Sequence, residues 1–268
     1  MQSDFLSYRS SIIHYVRIGG GSRVVICFHG YGEEGAAYSC LEKYNSPDFT
    51  FLAIDLPFHG KTEWKEGLLF TYEDLQQIVG QIAGPGNSGF SLLGFSLGSR
   101  MALSLYQAQP DKIEKLVLLA PDGLKMNFWY WLATQTWLGN RFFALTMKRP
   151  GWFLGFLNRL NKLKLVNASI FKFVNYYIGD KEVRQQLYDR WTSLRKLKPD
   201  LQKIRSLTRV NKTPIRVIYG NHDRIILSSV GEKFRKGIED HCTITIINSG
   251  HQVLQEKHGE EIIKALLH

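Results

Sequence analysis

The chain is poor in cysteine, with Cys27, Cys40 and Cys242 as its only three in 268 residues. An odd number without metal-type spacing builds neither a disulfide framework nor a zinc site. Cys27 lies inside an apolar run and Cys242 beside another, so buried free thiols and a reducing compartment are expected. Long apolar runs are missing as well. No stretch reaches the eighteen or so residues that a membrane span needs. The leading Met1-Gln2-Ser3-Asp4-Phe5 has neither a basic n-region nor an apolar h-region, so no signal peptide is read and a cytoplasmic location is expected. Internal repeats and low-complexity tracts are also absent. What remains is a chain with 44% hydrophobic residues, enough to close one large core. A single α/β domain with an insertion is the simplest organisation.

Acidic residues are scarce in one region only. Residues 121–213 hold 18 Lys and Arg against 5 Asp and Glu, whereas the remainder holds 16 against 19. The net charge of +10 is therefore a property of the middle of the chain. No nucleic-acid-binding motif accompanies it, and nucleic acid is not an expected partner.

The stretch that organises the rest is Gly94-Phe95-Ser96-Leu97-Gly98, which follows the apolar run from Phe90 and precedes a helix-forming segment, residues 101–109. A strand that turns at once into a helix puts one residue at a sharp apex. Glycines two before and two after remove the Cβ atoms that would collide there. The apex is Ser96. Its hydroxyl would stand at a helix start, where unpaired N–H groups and the helix dipole favour negative charge. That setting suits a serine nucleophile.

Further strands are read at residues 11–18, 23–28, 50–54, 116–120, 215–219 and 243–247, mostly as continuous apolar runs of the kind buried on both faces of a parallel sheet. Helices are read around Leu75, Ile78, Val79 and Ile82, after a capping-box-like Thr71-x-x-Asp74, then around 230–238 and over 256–267. Strands alternating with helices predict an α/β fold, a mostly parallel sheet with helices on both faces.

His29-Gly30-Tyr31-Gly32, Asp55-Leu56-Pro57-Phe58-His59-Gly60 and Gly94-Phe95-Ser96-Leu97-Gly98, in this order, resemble the α/β-hydrolase superfamily. With the last two strands, the resemblance covers roughly residues 10–120 and 214–268. It implies an α/β-hydrolase core over 1–120 and 214–268, with 121–213 as a helical cap or lid. The family's chain order is Ser, then Asp or Glu, then His. Asp223, in Asn221-His222-Asp223 after a strand, is by resemblance the orienting acid, and His251, in Ser249-Gly250-His251 after the final strand, the general base. Asp122, in Pro121-Asp122-Gly123, competes for the acid because some members take it from that loop, although its setting reads as a turn. His29 and His59 read as structural. The resemblance places an oxyanion hole at the backbone N–H groups of Tyr31 and Leu97. Where the family often has a second glycine after Gly98, this chain has Ser99, a residue small enough to pack there.

The resemblance implies a serine hydrolase cleaving a carboxylic ester or related acyl bond of a small to medium apolar substrate, with no metal and no organic cofactor. Thioester cleavage, carbon–carbon bond hydrolysis and a lyase-type reaction on an anionic substrate stay open, as does a non-catalytic protein that binds a ligand or partner. Haloalkane dehalogenases and epoxide hydrolases are disfavoured, because they carry Asp where Ser96 stands.

In the middle segment, Phe153, Phe156, Leu157, Leu160 and Leu163 read as one helical stripe and Val183, Leu187, Trp191 and Leu194 as a second. Five of the six tryptophans lie here, at 129, 131, 137, 152 and 191. Two readings are open: stripes that pack inward, or an apolar pocket whose Lys and Arg attract an anionic head group or the surface of an anionic membrane.

Overall fold

The computed structural model describes residues 1–44, 47–84, 86 and 89–268. Strands β1 (Gln2–Tyr8), β2 (Ser11–Gly19), β3 (Arg23–Phe28), β4 (Phe49–Ile54), β5 (Phe90–Phe95), β6 (Ile113–Leu119), β7 (Ile215–Gly220) and β8 (Cys242–Ile247) form one sheet. Its order is β1-β2-β4-β3-β5-β6-β7-β8. The β1–β2 and β2–β4 pairs are antiparallel, and from β4 to β8 every pair is parallel. The fold is thus α/β, as the alternating pattern predicts. Every residue of β4 and of β5 is buried, which is why both read as unbroken apolar runs.

Between the strands run α1 (Tyr72–Ala83), α2 (Leu97–Ala108), α8 (Leu201–Asn211) and α9 (Ser228–Arg235), and α10 (Gly259–Leu267) follows β8. Thr71 caps α1 reciprocally: its hydroxyl accepts from Asp74 N–H at 3.1 Å, and Asp74 accepts from Thr71 N–H at 2.9 Å. α2 is buried along most of its length, from Leu97 to Tyr106, and packs on β5 and β3. On one face of the sheet, Val25, Cys27, Phe51, Leu93, Val117 and Ile218 join Ile262 and Leu266 of α10 in a single apolar cluster. All three cysteines are free thiols. Burial pushes the Cys40 thiol up to about 11 and Cys242 up to about 12.

β1 was not among the sequence-predicted strands. Gln2–Tyr8 is a largely exposed edge strand in which Gln2, Ser3, Asp4 and Ser7 are polar, so it lacks a buried strand's apolar run. It is anchored at one end: Tyr8 donates its hydroxyl to buried Asp74 at 2.7 Å, and Arg9 pairs with the same carboxylate at 3.0 Å.

The chain divides into two units, one comprising residues 1–66, 70–125 and 196–268, the other 67–69 and 126–195. The second unit contains α3 (Phe128–Gln135), α4 (Trp137–Lys148), α5 (Gly151–Lys162), α6 (Ala168–Gly179) and α7 (Lys181–Ser193). Asn127, Thr136 and Asp180 cap α3, α4 and α7 with side-chain oxygens. Trp191 of α7 stacks on Phe143 and meets Tyr130 edge-on, with centroids at 5.7 and 5.2 Å. Arg184 donates to the carbonyls of Met147 and Ile178 at 2.9 and 2.6 Å, joining the C-terminal ends of α4 and α6.

The first predicted stripe needs correction. On α5 Leu157 is buried and Phe153 and Leu160 are partly so, but Phe156, and Leu163 at the C-cap, face solvent. α5 packs on α4 and α6, and those neighbours cover only part of its circumference. Among the described residues no helix is long and apolar enough to cross a membrane.

Candidate active site

Ser96 joins β5 directly to α2 with φ +48° and ψ −113°, a conformation that non-glycine residues rarely adopt. The surrounding backbone holds it there. Ser96 N–H donates to Leu119 C=O at 2.9 Å, and Ser96 C=O accepts from Ser99 N–H at 3.0 Å and Asp122 N–H at 3.1 Å. A Cβ at Gly98 would run into the Phe28 carbonyl, and one at Gly94 would come within 2.6 Å of the Ser99 backbone. Both glycines are thus required by close backbone approach. Ser99 fits the position that the family often gives to glycine. It is fully buried, and its hydroxyl donates to Gly94 C=O at 2.8 Å.

Asp223 and His251 follow two neighbouring parallel strands, β7 and β8. The loops after these strands are stitched together by Asn221 N–H to Ile247 C=O and His222 N–H to Ser249 C=O, both at 2.9 Å. Asp223 is buried, and its Oδ1 accepts from the backbone N–H groups of Ile225 and Ile226 at 2.7 and 2.9 Å. Its Oδ2 lies 2.8 Å from His251 Nδ1. A carboxylate only accepts, so this contact puts the ring proton on Nδ1 and leaves Nε2 with a lone pair. His251 Nε2 lies 3.0 Å from Ser96 Oγ. Three residues from distant parts of the sequence thus form one hydrogen-bonded chain. The Phe95 ring, with its centroid 5.6 Å from that of His251, helps to hold the imidazole in place.

The other candidates are placed differently. Asp122 accepts from Arg100 through Nε at 3.1 Å and through Nη2, and from Gly123 N–H at 2.8 Å, so it is engaged in a turn and an ion pair. His222 is exposed. His29 is fully buried: its Nδ1 donates to Gly30 C=O at 2.7 Å and its Nε2 accepts from Leu56 N–H at 3.1 Å, a structural role for both nitrogens.

Tyr31 lies in the loop after β3, the parallel neighbour of β5, so its loop and Ser96 leave the sheet at the same edge. Leu97 is the first residue of α2, where a backbone N–H has no helical carbonyl one turn back. Glu33 was missed by sequence reasoning. It accepts from Gly30 N–H at 3.1 Å and from the Gln252 side chain at 2.8 Å, linking the loop of Tyr31 to the residue after His251. Its only sequence signal is an acid three residues past a glycine, which is too common to single it out.

A match to the family described as alpha/beta hydrolase fold spans residues 23–257. The chain belongs to the α/β-hydrolase family. Among curated relatives, this α/β hydrolase is 23% identical over 243 residues to the "Uncharacterized hydrolase YugF" of Bacillus subtilis, covering 88% of this chain and 86% of that one. It is 29% identical over 111 residues to a "Pimeloyl-[acyl-carrier protein] methyl ester esterase" of Vibrio parahaemolyticus, covering 41% of each. Among solved structures, the "Thioesterase Domain From Curacin Biosynthetic Pathway" superposes with a TM-score of 0.67 over 99% of both chains at 16% identity, a likeness of fold. A serine elbow, a triad and an oxyanion hole are typical of α/β hydrolases; the Vibrio relative is by its own name an esterase, and the thioesterase domain is alike in fold alone.

Proposed function

We propose that the protein is a serine hydrolase that cleaves a carboxylic ester or related acyl bond of a small to medium apolar substrate through an acyl-enzyme. The observation that carries this reading is the continuous contact from Asp223 through His251 to Ser96, at 2.8 and 3.0 Å. In the proposed cycle, His251 Nε2 takes the proton from Ser96 Oγ as the oxygen attacks the substrate carbonyl. The tetrahedral oxyanion is held by the N–H groups of Tyr31 and Leu97, aided by the positive end of α2. His251 then returns the proton to the leaving oxygen, and the acyl group stays on Ser96. Water, deprotonated by the same nitrogen, releases the acid and restores the serine. Asp223 keeps the proton on Nδ1 and stabilises the imidazolium at each transfer. No step calls for a metal or an organic cofactor.

The inserted helical segment is proposed as the family's cap, and substrate selection is assigned to it. The methyl ester esterase likeness favours an ester over the other acyl bonds. A fluorophosphonate probe tests the reading, because it reacts only with an activated serine. Wild-type protein is expected to label and Ser96→Ala is not. A wild type that stays unlabelled while folded would instead support a ligand- or partner-binding protein. Activated esters and thioesters of graded chain length, compared by kcat/KM, would then define the acyl group.

A further inference from the structure

Between Asp122 and Asp180 the sequence contains no acidic residue, whereas eight Lys and Arg fall in that stretch. The stretch includes α3 to α6. Around α4 the solvent-facing positions are Trp137, Leu138, Arg141, Phe142, Leu145 and Lys148, spaced three and four apart, and Arg149 caps the helix. On α5 the exposed positions Trp152, Phe156 and Arg159, with Leu163 at the C-cap, repeat the same spacing. Ring contact between Phe142 and Trp152, with centroids 6.4 Å apart, joins the two rows into one face. The guanidinium of Arg141 lies over the Trp137 ring, 4.8 Å from its centroid.

These apolar side chains are well uncovered. Trp137 is 72% exposed, Leu163 68% and Phe156 54%. Of the large hydrophobic residues exposed anywhere on the described chain, more than half belong to the helical unit, and so do all the exposed tryptophans. A patch of this kind, apolar and rimmed by charge of one sign, marks an interaction surface. Its charge decides the partner. A second copy docking by two-fold symmetry would set cations against cations, with no acid on the face to offset them. An anionic lipid surface offers the complementary charge and an apolar interior for the Trp, Phe and Leu side chains.

We propose that the α4–α5 face of the helical unit docks on an anionic phospholipid bilayer, with Trp137, Phe142, Trp152 and Phe156 entering the interface and Arg141, Lys148, Arg149 and Arg159 pairing with the headgroups. This interaction is independent of the hydrolase reading and stands or falls without it.

Flotation of the full chain with phosphatidylcholine vesicles, with and without phosphatidylglycerol, tests the docking. Binding is expected only when phosphatidylglycerol is present and is expected to weaken as salt is raised. The triple variant Arg141→Gln, Lys148→Gln, Arg149→Gln is expected to bind about a hundredfold more weakly, from the loss of three surface cations. In the variant Trp137→Ser, Phe142→Ser, Trp152→Ser, quenching of tryptophan fluorescence by brominated acyl chains is expected to fall sharply relative to wild type. All the substituted side chains are exposed, and an unchanged thermal midpoint shows that each variant is folded. The proposal is overturned if anionic vesicles are not bound, if neutral vesicles are bound equally well, or if both triple variants bind like wild type. It is also overturned by a lipid-free dimer that the Trp137, Phe142, Trp152 variant dissolves, since that result assigns the face to a second copy.

Discussion

Asp223 presents its two oxygens to different partners, Oδ1 to the Ile225 and Ile226 amides and Oδ2 to His251 Nδ1. That division makes Asp223→Asn a sharp test of the proposed triad. The amide oxygen stays with the two backbone donors, so the NH₂ group turns to His251 Nδ1. A donor there drives the ring proton to Nε2, where it blocks acceptance from Ser96. The variant is expected to keep its fold and substrate affinity while kcat falls by about 10⁴-fold. A kcat within tenfold of wild type would remove Asp223 from the mechanism. Asp122 already meets Arg100 and Gly123 and has no comparable contact with the imidazole among the described residues. The site was legible at this scale because each of its side chains follows a strand. Ser96, Asp223 and His251 are each reached by reading a short apolar run to its end. Glu33 was not legible, since its role depends on Gln252, which is 219 positions away.

At the scale of elements, burial decided what could be read. β3, β4 and β5 are nearly or wholly enclosed and announce themselves as apolar runs, whereas β1 has one neighbour and an open edge and carries polar side chains to match. The α5 stripe failed for a related reason: apolar spacing shows which residues share a face but not whether anything covers that face. β1 is held partly by one buried contact. Removing the hydroxyl in Tyr8→Phe leaves the enclosed Asp74 carboxylate with one donor fewer. The substitution is expected to cost about 1–2 kcal/mol, read as a lower denaturant midpoint with an unchanged m-value. A midpoint equal to wild type would show that Arg9 and Thr71 satisfy Asp74 unaided.

For the whole molecule, acid sensitivity follows in part from His258, which is buried just ahead of α10 with no hydrogen-bond partner for Nε2 among the described residues. Burial, reinforced by Lys257 and opposed by Glu261, holds its imidazole below the usual histidine range. The unfolded chain therefore binds this proton more readily than the native one. Its contribution to stability is complete above about pH 6.5 and is lost as pH falls through the lower native value. His258→Leu is expected to flatten the fall of the unfolding midpoint between neutral and mildly acid pH. Parallel wild-type and variant profiles would exclude the effect.

Ser96 and His251 stand 3.0 Å apart in space and 155 positions apart along the chain. During synthesis the serine leaves the ribosome first, and its histidine follows roughly 10–30 s later at ordinary elongation rates. Under the proposed mechanism the nascent chain carries, throughout that interval, a hydroxyl no more reactive than that of any other serine. On the proposed mechanism, a product that stops before residue 251 never gains its general base, so incomplete synthesis is expected to yield fragments that a fluorophosphonate probe leaves unlabelled.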